Sequence, residues 1–254
     1  MKRMFLFTVL LATSGCDLVE NTQDALDGLT NPLVGLGLVI GVEEPEEVDL
    51  ASTGLESGTT FSMFLADAAS ADDLENAPID GATVTLEGIE TDPAVDGLYV
   101  LGPDRAPSYV GQAIFDVAID INGEMASGRV RLPDGPDFVA IQGHTPGEGL
   151  TIDLTGQGFN AAIVVVIESS SGELTFSNEP ETAREVYDLT RGNGDVGAVD
   201  VPGTAFPSDN EVYVMGIAGL HHTETSNLDG MNTVISSLSA GQMVFQPVST
   251  FDEL

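Results

Sequence analysis

Lysine is missing from this chain beyond residue 2, tryptophan is missing altogether, and cysteine occurs once, at Cys16. Each scarcity removes a class of function. Lys and Arg number 7 against 41 Asp and Glu, a formal net charge of −34. Nucleic-acid binding draws its affinity from cations that neutralise phosphates. The later basic residues, Arg105, Arg129, Arg131, Arg184 and Arg191, are too scattered to form such a footprint, so nucleic acid is excluded as a partner. A lone cysteine permits no internal disulfide and no Cys-rich metal cluster. Without tryptophan, and with aromatics at 6%, a sugar-stacking platform has little to be built from. The phosphate loop G-x-x-x-x-G-K-[ST] needs a lysine the chain does not place there, and no G-x-S-x-G elbow marks a serine nucleophile.

Apolar material, by contrast, is plentiful. Hydrophobic residues make up 42% of the chain and the mean hydropathy is +0.14, enough to build cores despite the charge. A length of 254 residues leaves room for two ordinary domains. The acid excess predicts a protein suited to salty water, where the Debye length falls from about 10 Å at 0.1 M to about 3 Å at 1 M and self-repulsion is screened. The alternative use of the same charge is solubility.

The N-terminus, MKRMFLFTVLLATSGC, places Lys2 and Arg3 before an uninterrupted run from Met4 to Ala12, then small residues leading to Cys16. The run is shorter than the roughly 20 residues needed to cross a bilayer, so it reads as the h-region of a signal peptide over residues 1–15. Small residues ending in cysteine resemble the lipobox of bacterial lipoproteins, with Thr13 standing where that pattern prefers Leu, Val or Ile. The resemblance implies cleavage before Cys16, a diacylglycerol on its thiol, and a membrane-anchored place in the bacterial cell envelope. Loss of Lys2 and Arg3 would leave five basic against 41 acidic residues.

Residues 16–50 read as a lipidated tether. Within it, Leu18, Thr22, Ala25, Leu26 and Leu29 recur at the spacing of a short amphipathic helix, with a flexible tether as the alternative. The stretch NPLVGLGLVIGV predicts a buried strand over Leu36 to Val42, with a segment lying beside the membrane as the alternative, and Glu43 to Glu47 reads as a solvated break. Beyond Phe61, period-two alternation dominates, in Phe61, Met63 and Leu65, in Val84 and Leu86, in Leu98 and Val100, and in Phe115, Val117, Ile119 and Ile121. Asn122-Gly123 supplies the positive-φ pair of a tight hairpin.

The wording GATVTLEG, DGLYVL and YVGQAIFDVAIDINGE over Phe61 to Pro136 resembles the carboxypeptidase-regulatory-like and immunoglobulin-like β-sandwich modules of exported bacterial proteins. That resemblance implies an accessory module without catalytic residues. A Pro-Gly-rich piece, Pro133 to Gly149, precedes a second strand set. It comprises Leu150, Ile152 and Leu154, the β-branched run Ile163 to Ile167, Gly172 to Ser177 folding back on it, Val199 to Val201, Glu211 to Ala218, Asn232 to Leu238 and Gln242 to Val248. One helix interrupts them in ETAREVYDLTRG, with Asn178 as cap, Pro180 in the first turn and Gly192 at the end. The expected fold is all-β: two tandem immunoglobulin-like antiparallel β-sandwiches over residues 51–142 and 147–254, the second carrying one short helix.

Among candidate chemistries, DLTRGNGD offers Asp188, Asn193 and Asp195 as calcium ligands, since calcium seeks about six to eight oxygens on a flexible loop. The same residues also make an ordinary helix-capping turn, and Arg191 brings an opposing charge into it. Beyond that one calcium candidate no cofactor is called for. His221 and His222 are adjacent and read as a solvated turn. The expected function is non-enzymatic: a lipid-anchored envelope module that binds or scaffolds an envelope protein or surface ligand. Calcium-dependent adhesion is the alternative, and a hydrolase the third possibility.

Overall fold

The computed structural model describes residues 31–42, 57–137, 141, 143–190, 195–222 and 228–250. The signal run, Cys16, the 17–30 helix candidate, the acidic run 43–47 and Asn193 lie outside the described residues. In chain order the elements are β1 (Leu33–Val42), β2 (Gly58–Asp67), β3 (Thr83–Leu86), β4 (Ile89–Glu90), β5 (Asp92–Pro93), β6 (Leu98–Leu101), β7 (Ile114–Ile121) and β8 (Glu124–Arg131). There follow β9 (Leu150–Asp153), β10 (Ala161–Glu168), β11 (Leu174–Ser177), helix α1 (Ala183–Thr190), β12 (Ala198–Val201), β13 (Val212–His222) and β14 (Ser237–Ser249).

Local chemistry accounts for most of them. β7 buries Phe115, Val117, Ile119 and Ile121 in strict alternation, then turns into β8 through Asn122 and Gly123 at φ 56° and 93°. β10, with no polar residue between Ala161 and Ile167, is buried on both faces, as its β-branched run predicts. Asn232 to Leu238 and Gln242 to Val248, expected as two strands, differ in outcome. Residues before Ser237 form a turn, and β14 then runs unbroken for 13 residues through Gly241.

The fold is all-β, but its halves are not stacked end to end. Eight strands form one sheet in the order β11-β10-β13-β14-β1-β2-β6-β5. That sheet crosses the expected boundary at residues 142–147, because β1 pairs in parallel with β14, Leu36 opposite Ser237 and Val42 opposite Met243. Every other pairing in it is antiparallel. The physical reason lies in β1: Val34 to Val39 are buried without interruption, so the strand needs neighbours on both edges and cover on both faces.

Two further layers cover one face. The sheet β4-β3-β7-β8 packs on the β14-to-β6 side, enclosing Phe61, Met63, Tyr99, Val117, Ile119 and Val130. The pair β12-β9 covers the β10–β13 side, enclosing Ile152, Val164, Val201, Phe206, Tyr213 and Met215. Burying a side chain of this size contributes about 1.5–3 kcal/mol. Between the two cores lies a row with little side chain, Gly41 opposite Gln242 and Gln242 opposite Gly219. There the covering rings rest on backbone: a Cβ on Gly41 would fall 2.2 Å from the Tyr109 ring, and one on Gly219 2.5 Å from the Phe159 ring. Gln242 Oε1 accepts the Gly135 N–H at 2.9 Å, which lays the Pro-Gly-rich connection across this row.

Helix α1 packs on the opposite face. Ala183, Val186 and Tyr187 meet Val34, Leu36, Ala66 and Leu74, so a helix from the second half is seated on strands of the first. Its cap differs from expectation. Thr182 Oγ1 accepts the Glu185 N–H at 3.2 Å, and Glu185 Oε2 accepts the Glu181 N–H at 2.8 Å, a variant of the capping box. Asn178 is taken up elsewhere: its amide accepts from Val164 N–H and donates to Ala162 C=O, closing the open edge of β10.

Candidate functional site

The face that carries α1 is covered only in part, and the uncovered part forms a groove of about 730 Å³. Its floor follows from strand parity. β2 points Phe61, Met63 and Leu65 into the first core and Thr60, Ser62 and Phe64 outward. Register then lines up rows across three strands. Leu38, Ser62 and Val100 form one, Leu36, Phe64 and Leu98 the next. In the first row a small residue lies between two branched ones, which makes a trough along β2. On β6 the outward residues are the pair the alternation pattern singles out, Leu98 and Val100, while Tyr99 and Leu101 enter the core at 2% and 0% exposure.

Two walls flank the trough. One is the entry to α1, Glu179 to Ala183 with Val186; the other is Glu75 and Pro78, continued by Val95 and Asp96 at the turn into β6. That turn is fixed by Asp96 and Gly97 at φ 49° and 75°, by Leu65 N–H donating to Gly97 C=O at 2.9 Å, and by Gly97 N–H donating to Asp80 at 3.0 Å. Arg184 ties α1 to the turn that precedes Glu75. Its Nη1 donates to Asp72 at 2.5 Å and its Nε to Asp188 at 3.0 Å, and these carboxylates, Asp188 foremost, hold the guanidinium pKa above its already high ordinary value. The mouth carries an exposed apolar lip, Val95 at 69%, beside the carboxylates of Glu75, Asp96, Glu179 and Glu181. Among the described residues lining the groove none is basic.

The candidate calcium ligands are used separately. Asp188 lies in the last turn of α1 and pairs with Arg184. Asp195 accepts the N–H groups of Gly156 at 3.0 Å and Gly158 at 3.1 Å, one on each oxygen. Among the described residues no group of three or more His, Cys, Asp or Glu is placed to hold a metal ion. The same stretch spells G-x-G-x-x-G over Gly192 to Gly197. It leads from helix α1 into strand β12, the reverse of the strand-to-helix turn in which that pattern cradles a dinucleotide. His221 and His222 are in β13 rather than a turn. His222 N–H donates to Asn160, and His221 Nδ1 is buried without a partner among the described residues.

Tyr109 is the most perturbed acid in the described chain. Burial, with Asp134 adding to it, pushes its phenol far above the ordinary value of 10.0, and the hydroxyl donates to Pro133 C=O at 2.6 Å. Its part is structural, fastening the connection over Gly41. The groove left no signal readable in advance beyond the small outward residues of β2, because its walls come from segments about a hundred residues apart.

No protein-family model matches the chain, and no curated protein matches it at a significant level. No helix among the described residues is long and apolar enough to cross a membrane.

Proposed function

We propose that this is a lipid-anchored cell-envelope protein of the non-enzymatic kind, held by acyl chains on Cys16, whose β body binds a ligand in the groove over β1, β2 and β6. The groove is the observation that carries the reading. At about 730 Å³ it falls within the roughly 300–1,000 Å³ range of small-molecule sites, with an apolar floor and a few polar groups at its mouth. In this view each core descends from an immunoglobulin-like sandwich, the two having come to share one sheet. The anchor is supported by the lipobox-like sequence. Acyl chains contribute about 0.8 kcal/mol per buried CH₂, so two or more hold a protein stably at a bilayer.

Fractionation of the full-length protein and of Cys16→Ser tests the anchor. The wild type should sediment with membranes, with a mature N-terminal peptide whose mass includes acyl chains, and Cys16→Ser should lose both. A Cys16→Ser protein that stays membrane-bound as firmly as the wild type overturns the reading.

A further inference from the structure

We infer that the groove takes a small ligand with an extended apolar chain and a cationic head, an alkyl amine or quaternary ammonium in chemical class. This rests on the groove being a binding site. The floor strands β1 and β2 are interior to the sheet, hydrogen-bonded on both edges, so the face offers no free backbone for an added peptide strand and recognition falls to side chains. Those side chains divide by position. Leu38, Ile40, Leu98 and Val100 present branched carbon along the trough, and Val95 extends it to the mouth. Around them Glu75, Asp96, Glu179 and Glu181 present carboxylates, with no basic residue among the described lining to answer them.

Charge decides the head group. Arg184, on α1 beside the groove, is already committed to Asp72 and Asp188. A carboxylate or phosphate head would meet carboxylates on both walls with no described basic residue in the lining, a neutral head would leave them merely solvated, and a cation would pair with those in its reach. The charge of the whole molecule, −34, repels anions from every direction in dilute buffer. At physiological ionic strength the Debye length of about 8 Å restricts the effect to carboxylates near the head.

The test is titration calorimetry on the full-length protein in lipid nanodiscs, with empty discs as reference, at physiological ionic strength. Octyltrimethylammonium, octyl glucoside and octanoate serve as probes with one chain and three heads. The cation is expected to bind about tenfold more tightly than the neutral probe, octanoate most weakly, as two or more screened charge contacts allow. Ser62→Trp fills the trough from its floor and should abolish binding of all three. Glu179→Gln with Glu181→Gln touches exposed side chains, leaves an amide oxygen to accept the Ser177 hydroxyl that Glu179 holds at 3.3 Å, and should reduce the cation's advantage to about threefold or less, so the outcome does not hang on Ser62→Trp folding. Equal affinity for all three heads, or an advantage unmoved by the glutamines, overturns the cationic head while leaving the groove a binding site. No heat above empty discs with any probe, or binding that survives Ser62→Trp in a folded protein, overturns both.

Discussion

Gly41→Ala tests how the two cores are joined. The added Cβ would lie 2.2 Å from two atoms of the Tyr109 ring and 2.8 Å from the Tyr109 Cβ, far inside contact distance. β1 cannot retreat, since it is paired on both edges, so the ring must leave. Overpacking at such a position costs about 1–3 kcal/mol. Departure of the ring also breaks the Tyr109 bond to Pro133, worth about 0.5–1.5 kcal/mol net. The sum, about 1.5–4.5 kcal/mol, corresponds to a drop in Tm of about 3–18 °C for a chain of this size. Thermal unfolding followed by circular dichroism measures it, with urea midpoints as a second reading. The same substitution in a Tyr109→Ala background should cost much less, because the ring is gone and only the Cβ of residue 109, at 2.8 Å, is left to give way. Equal losses in the two backgrounds would refute the seating of Tyr109 on Gly41.

Three further outcomes follow from particular contacts. Because the Tyr109 phenol is raised, folded and unfolded chains are both protonated below pH about 10, and above it the unfolded chain ionises first. Stability should therefore fall as pH rises past about 10, and the fall should be shallower in Tyr109→Phe. Thr182→Ala should cost about 1 kcal/mol through loss of the α1 cap, whereas Asn178→Ala should cost more by stranding Val164 N–H and Ala162 C=O; equal losses would count against this division of roles. Melting in rising NaCl should show Tm increasing as self-repulsion among 41 acids is screened, and a flat curve would refute that.

What could be read from sequence was local. Alternation in β7, the Asn122-Gly123 turn and the doubly buried run of β10 each carry their signal within about ten residues, and each forms as expected. The helix was legible by its period, its cap less so: Asn178 and Thr182 are both good caps, and the competing demand of the β10 edge decided between them. The shared sheet had no such signal, because a parallel pairing between strands 201 residues apart, marked by the bond from Gly35 N–H to Ser236 Oγ, leaves no trace in either strand alone. Its glycines were visible, but their purpose was not, since the rings that rest on Gly41 and Gly219 come from distant connections. The groove likewise needed the tertiary fold, because its walls are Glu179 to Val186 on one side and Glu75 to Asp96 on the other.

The pairing of β1 with β14 also dictates an order of assembly. One of the most apolar strands has to wait for nearly all the rest before its second edge is satisfied, and folding of this kind is slow. Any product that stops short of Ser237 would leave β1 and β13 with two raw edges in mid-sheet, each a template for another chain. Proofreading against incomplete copies is thus built into the topology: only a chain that includes its last long strand can close.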